Sequence, residues 1–193
     1  GQDRCIAGWN KDLSLRQAYQ ESAFWVFQRF AHEVGAIRMR RWLQRAEYGN
    51  HDADGGIHRF WLDGALRISL LEQVEFLQRL QARQLPFSPR TIEAVQDVMV
   101  EARGVGYVLR GKTGWARQLT DAGDRFGDCR PAADRALGNP VTPEIGWYVG
   151  YVVRGERIVF FALNVDIRRP ADAAARRCIV RRVLSEELLL DAR

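Results

Sequence analysis

Apolar side chains recur every three to four positions along the first hundred residues and every second position after Gly104, so the period of the pattern changes once. Ala23, Phe24, Phe27, Phe30, Ala31 and Val34 form one stripe and predict a single amphipathic helix over residues 14–34, with Gly35 as its stop. A second helix is predicted over 36–46, ending before YGNHDADGG, a segment rich in turn formers. Ser69 and Glu72 make a capping box ahead of LLEQVEFLQRLQ, and Ser88-Pro89 supplies an N-cap and first-turn proline for a fourth helix, RTIEAVQDVMVEA. YVLRGKTGW, GWYVGYVV and RIVFFALNV alternate as strands, the last two joined through RGE, and ADAAARRCIVRRVLSEELL closes the chain as a helix.

This order predicts an α+β fold, an antiparallel sheet flanked by helices, in one domain over 1–193. Its parts are a helical lobe at about 10–103, a sheet at about 104–167 and a C-terminal helix at about 170–190. Residues 116–144, with several Gly and Pro, read as a long loop or insertion within the sheet. Three strands make a small sheet for so many helices.

Composition narrows the function classes. The 193 residues are 47% hydrophobic, enough for one core, and no run of 18 apolar residues is present, so no membrane span is expected in this segment. The opening GQDRCIAGWNKD lacks the basic and apolar regions of a signal peptide. Cys5, Cys129 and Cys178 are too scattered to define a pairing, and neither they nor His32, His51 and His58 show metal-ligand spacing. The net charge of +5 comes from arginines interleaved with acids, a solvated-face pattern rather than a nucleic-acid footprint. Among 29 basic residues only Lys11 and Lys112 are lysines, so a lysine between two glycines invites a chemical reason.

Lys112 lies in GYVLRGKTGWA, which fits two motifs. As G-x-x-x-x-G-K-T it would be a phosphate loop, but that loop must follow a strand and open a helix; here the strand-like residues are inside it. As K-T-G on a strand it fits its surroundings, with Lys112 and Gly114 on one side.

The companions of K-T-G carry a resemblance. SLRQAYQESAFWVFQRFAHEVG contains Ser22-Ala23-Phe24; AEYGNHD contains Tyr48-Gly49-Asn50; FWLDGALRISLLEQVEFLQRL, GKTGW, IGWYVGYV and FFALNVDI follow in order. Over nearly its whole length the chain resembles the C-terminal two-thirds or so of class D serine β-lactamases, the oxacillinases. The resemblance implies β-lactam substrates, acylation of a serine, hydrolysis of the ester, and a base that is a lysine carboxylated by carbon dioxide. It implies that Ser22 relays a proton, that Lys112 supplies positive potential, and that Trp61 donates to the carbamate. It further implies that the Trp115 N–H lines an oxyanion hole, and that Thr113, Gly114 and Arg176 meet the substrate carboxylate. Arg177, Arg168 and Arg169 are neighbouring alternatives to Arg176. Tyr48, Gly49 and Asn50 read as a structural loop beside the site.

Two departures matter. Phe24 stands where the family has Val, next to the expected carbamate. And no serine in the sequence has Lys three residues on, so the family's first motif, Ser-x-x-Lys, is not in this chain. The expectation is a portion of a longer domain whose missing N-terminal part brings nucleophile and base, with the chain inactive alone. A periplasmic or secreted bacterial location follows from the resemblance, which leaves a homodimer open. A penicillin-sensing receptor domain and an inactive pseudoenzyme are the alternatives.

Overall fold

The computed structural model describes residues 7–116 and 144–188. After a 3-10 turn at Ala7–Trp9 come five helices: α1 (Leu15–Gln20), α2 (Phe24–Val34), α3 (Ala36–Arg45), α4 (Leu70–Gln81) and α5 (Pro89–Val98). Four strands follow, β1 (Val100–Gly104), β2 (Tyr107–Ala116), β3 (Glu144–Arg154) and β4 (Arg157–Ile167), and then α6 (Pro170–Leu188). The strands form one antiparallel sheet in the order β1-β2-β3-β4.

The sheet is covered on both faces, as the alternation of β3 requires. Tyr151 meets Leu77 and Leu80 of α4, Ile92 of α5, and Leu85 and Met99 on one side, with Val149 and Val153 partly buried against them. Tyr148 and Val152 meet Leu109, Val180 and Leu184 on the other, beneath α6. Tyr148 and Tyr151 are at most 1% exposed, and burying each ring contributes roughly 2–3 kcal/mol. The two capping signals act as the sequence indicates: Ser69 accepts from the Glu72 N–H while Glu72 returns to the Ser69 N–H, and Ser88 accepts from the Thr91 N–H.

Two expectations are corrected. The predicted helix 14–34 is two helices, because the chain leaves helical geometry at Ser22 with φ of 52°. The Ser22 N–H donates to the Tyr19 carbonyl at 3.2 Å and the Ala23 N–H to the Ala18 carbonyl at 2.8 Å, the paired bonds of a Schellman stop, with Ala18 and Ala23 buried against the turn. The fourth helix stops at Val98, and Val100–Gly104, whose first three residues are predicted as its last turn, is a separate strand. Pairing with residues 107–110 competes successfully with helix propensity there, and it brings the sheet to four strands. The segment 116–144 lies almost wholly outside the described residues, as do Cys5 and Cys129; Cys178 is exposed on α6.

Candidate active site

The Schellman stop that splits the first helix also presents Ser22. Its left-handed backbone turns the hydroxyl toward β2, where Lys112 is on the face that looks at the helical lobe. Lys112 Nζ donates to Ser22 Oγ at 2.5 Å and to the Thr113 carbonyl at 2.5 Å, joining segments 90 residues apart. Tyr19, three residues before Ser22, sets its ring 5.7 Å from the same ammonium. Burial first, then the Arg177 and Arg176 charges, pull the Lys112 pKa down from 10.5 to about 8; Glu101 opposes them. An ammonium so placed can release a proton near neutral pH through the Ser22 hydroxyl.

On the opposite face of β2, Arg176 reaches from α6. It is only 6% exposed; its Nη1 donates to the carbonyls of Gly114 and, at 3.2 Å, Trp147, and its Nε to Ala173 at 2.8 Å. Gly146 makes the passage, because a Cβ there would lie 2.9 Å from Arg176 Cδ and 2.5 Å from Ile167 Cδ1. Of the four candidate arginines, Arg176 is the one bonded to β2: Arg168 and Arg169 pair with Asp166 and Asp172, and Arg177 pairs with Glu101.

The edge of β2 is oriented by one bond. The Gly111 N–H donates outward to the Met99 carbonyl at 2.9 Å, so by the two-residue repeat the N–H groups of Thr113 and Trp115 point to that same side, away from β3. Pairing with β1 reaches no further than Arg110. At Gly114 an added Cβ would meet only Trp147 Cβ, at 3.4 Å, so the fold itself has room for a methyl group there. The Trp115 indole donates to Glu144 at 2.6 Å, at the opening of β3. A cavity of about 250 Å³ adjoins this edge, lined by Tyr19, Glu101, Gly111, Lys112, Thr113 and Arg177 among others.

The remaining predicted residues sit around this centre. Trp61 packs edge-on against Phe24 at 5.9 Å and Phe60 at 5.0 Å, so it reaches the Ser22 turn through Phe24. Tyr48 donates to Gln73 at 2.8 Å and lies edge-on to Phe76 at 4.7 Å. Asn50 staples its loop, donating to Ala65 and accepting from the Arg67 N–H, each at 2.9 Å. Gly49 is required there, since it has φ of 55° and an added Cβ would lie 2.1 Å from the Arg67 carbonyl. These three residues serve the loop.

Tyr19, Glu101, Glu144 and Gly146 were not singled out by sequence. Tyr19 could have been found from its spacing to Ser22 on one helix; Glu101 was hidden by its assignment to a helix.

Lys112 is engaged by Ser22 and Thr113, and Lys11 pairs with Glu21 at the surface. Among the described residues no group of three or more His, Cys, Asp or Glu could hold a metal, and no helix is long and apolar enough to cross a membrane.

Comparison with known proteins gives this arrangement its class. The model of the penicillin binding protein transpeptidase domain matches residues 1–185. The β-lactamase OXA-5 of Pseudomonas aeruginosa is 36% identical over 97% of the chain, and OXA-48 of Klebsiella pneumoniae 34% identical over 98%. Among solved structures, the class D β-lactamase YbXI from Nostoc superposes with a TM-score of 0.83 at 41% identity, covering 98% of this chain and 71% of that one. FUS-1 (OXA-85) from Fusobacterium nucleatum subsp. polymorphum gives 0.82 at 30% identity, covering 99% and 70%. The chain therefore belongs to the penicillin-binding-protein transpeptidase family, and its relatives within it are class D β-lactamases. It spans 63% of the length of OXA-5 and of OXA-48.

Proposed function

We propose that this chain supplies the substrate-holding part of a class D β-lactamase that opens β-lactam amides by acyl transfer to a serine. The observation that carries the reading is the Lys112–Ser22 contact, which brings together two motifs 90 residues apart on the edge of an otherwise ordinary sheet. In the reaction, a serine hydroxyl attacks the lactam carbonyl, the C–N bond breaks, and the nitrogen takes a proton passed from Lys112 through Ser22. The Trp115 N–H stabilises the oxyanion, and Arg176 with Thr113 meets the substrate carboxylate across the Gly114 edge. Water then cleaves the ester to release the acid.

The nucleophile and the lysine base belong to the Ser-x-x-Lys motif, which the 193 residues lack. They are assigned to the part of the domain that the relatives possess and this chain does not span. A carbamate on that lysine would supply the base, and Trp61 is the donor this chain offers it. The same reading puts the complete protein in the periplasm or outside the cell. The test is nitrocefin hydrolysis. The isolated chain should show no turnover and no covalent adduct by mass spectrometry. The complete protein should turn over, with Ser22→Ala or Lys112→Ala lowering kcat by about 10²–10⁴. Turnover by the isolated chain, or undiminished turnover by those variants, overturns the reading.

A further inference from the structure

We propose that Glu101 is the positioning residue of this site: from a bulge in β1 it binds Arg177 and Arg181 together, and so holds α6 at the rotation that sends Arg176 onto Gly114. The inference rests on reading Lys112 and Arg176 as site groups.

The bulge is explicit in the register. Val100 faces Arg110 and Ala102 faces Leu109, so Glu101 is the extra residue between two consecutive partners. Bulges re-aim a side chain, and this one turns a carboxylate toward the α6 face, where its side chain keeps 16% exposure. There Glu101 accepts from Tyr148 Oη at 2.9 Å and Arg181 Nη2 at 3.3 Å, and forms an ion pair with Arg177, whose Nε lies 3.2 Å away. A carboxylate this enclosed is stable only with such partners. The cluster crowds β2 at Gly111, where a Cβ would lie 3.2 Å from Glu101 Oε2 and 2.9 Å from Tyr148 Cε2.

The geometry of α6 converts this cluster into a directional constraint. Arg177 and Arg181 are four residues apart and share a helix face, so one acceptor engaging both fixes rotation as well as position. Arg176 is one residue, about 100°, around the helix from Arg177, so its course over Gly146 to Gly114 follows from where Arg177 is held. Lys112 feels the same cluster across the sheet edge. Facing it are Tyr19 from α1, Ser22 from the turn, Glu101 from β1, and Arg176 and Arg177 from α6.

The chain has only two lysines, which makes the test direct. The protein is labelled with ¹³C-lysine, Lys11→Arg assigns the resonances, and the Lys112 ε-carbon is titrated. In the unaltered protein its midpoint should lie near pH 8. Arg177→Gln removes a repelling cation and should raise it; Glu101→Gln frees the helix that carries Arg176 and Arg177, so their repulsion falls and the midpoint should rise there as well. Amide exchange in residues 173–181 of α6 should speed up by about tenfold in Glu101→Gln, because the anchored helix is released. A midpoint that stays or falls in Glu101→Gln, which would mean that α6 keeps its place without the carboxylate, or unchanged exchange in α6, would each overturn the proposal. Should Glu101→Gln not fold, Arg177→Gln with Arg181→Gln decides instead: it removes both α6 partners of Glu101, and unchanged exchange in α6 overturns the proposal. None of these readouts uses turnover, so a complete protein that leaves nitrocefin intact would count against the β-lactamase reading, and the expected titrations and exchange would leave this one standing.

Discussion

Ser22 holds two properties that pull against each other. A left-handed backbone suits glycine and costs another residue about 1 kcal/mol, yet glycine has no hydroxyl to offer Lys112. The strain is therefore retained with the functional group that needs the turn, an arrangement typical of sites. The two contributions can be separated. Ser22→Ala and Ser22→Gly both lose the contact with Lys112, but only the alanine keeps the unfavourable φ. The glycine variant should be more stable than the alanine variant by about 1 kcal/mol in urea unfolding. Equal stabilities would mean that the turn relaxes once the hydroxyl is gone. Among residues, Ser22, Lys112 and Arg176 were candidates from sequence through their type and neighbours, and the fold brings Ser22 to Lys112 and Arg176 to β2. Tyr19 and Glu144 were not, because a phenol under an ammonium and a carboxylate on an indole are contacts between elements that no local pattern encodes.

The elements divide in the same way. The capping box at Ser69, the Ser88 cap with its proline at the start of α5 and the hairpin at Gly155 are local chemistry, and each is where the sequence places it. The break in the first helix was missed because the apolar stripe continues across it. Ala18 and Ala23 are buried together on either side of Ser22, so periodicity alone sees one helix. β1 was missed because Val-Met-Val-Glu-Ala serves as either a helix end or a strand, and pairing with β2 decides it. The packing of α6 on β3 is a further tertiary fact, resting on the missing side chain of Gly146. Gly146→Ala should place a methyl group against Ile167 and Arg176, costing about 1–3 kcal/mol and pushing Arg176 off Gly114. The complete protein should then show a raised KM for penicillins while kcat stays within about threefold, because ground-state anchoring is lost and Lys112 is untouched. A drop in kcat with KM unchanged would assign Arg176 to the chemical step.

At the scale of the whole molecule, the titratable groups that folding perturbs predict the shape of stability against pH. On the acid side, Glu72 and Asp172 are held below their ordinary values by the N–H groups they cap: Ser69 for Glu72, Arg168 and Arg169 for Asp172. Their contributions are complete above 4.5 and 3.8 and are lost as pH falls further, when the native state must take up protons it disfavours. On the alkaline side two effects have opposite signs. Lys112 ionises with more difficulty when folded, its pKa lowered from 10.5 to about 8, so the native state carries a penalty at neutral pH that fades as both states lose the proton. Between pH 8 and 10 the unfolded chain binds more protons, and stability should rise by about 2 kcal/mol. The phenols of Tyr19, Tyr48, Tyr148 and Tyr151 are pushed up by burial, so above pH 10 the unfolded state ionises first and stability should fall. The expected profile climbs from pH 8, peaks near 10 and then drops, a shape that the tyrosines alone would not produce. Urea unfolding at half-unit intervals from pH 7 to 11 measures it. Lys112→Met should flatten the rise between 8 and 10 and leave the fall above 10 intact. Persistence of the rise in that variant would mean that Lys112 is not the group whose charge the folded protein resists.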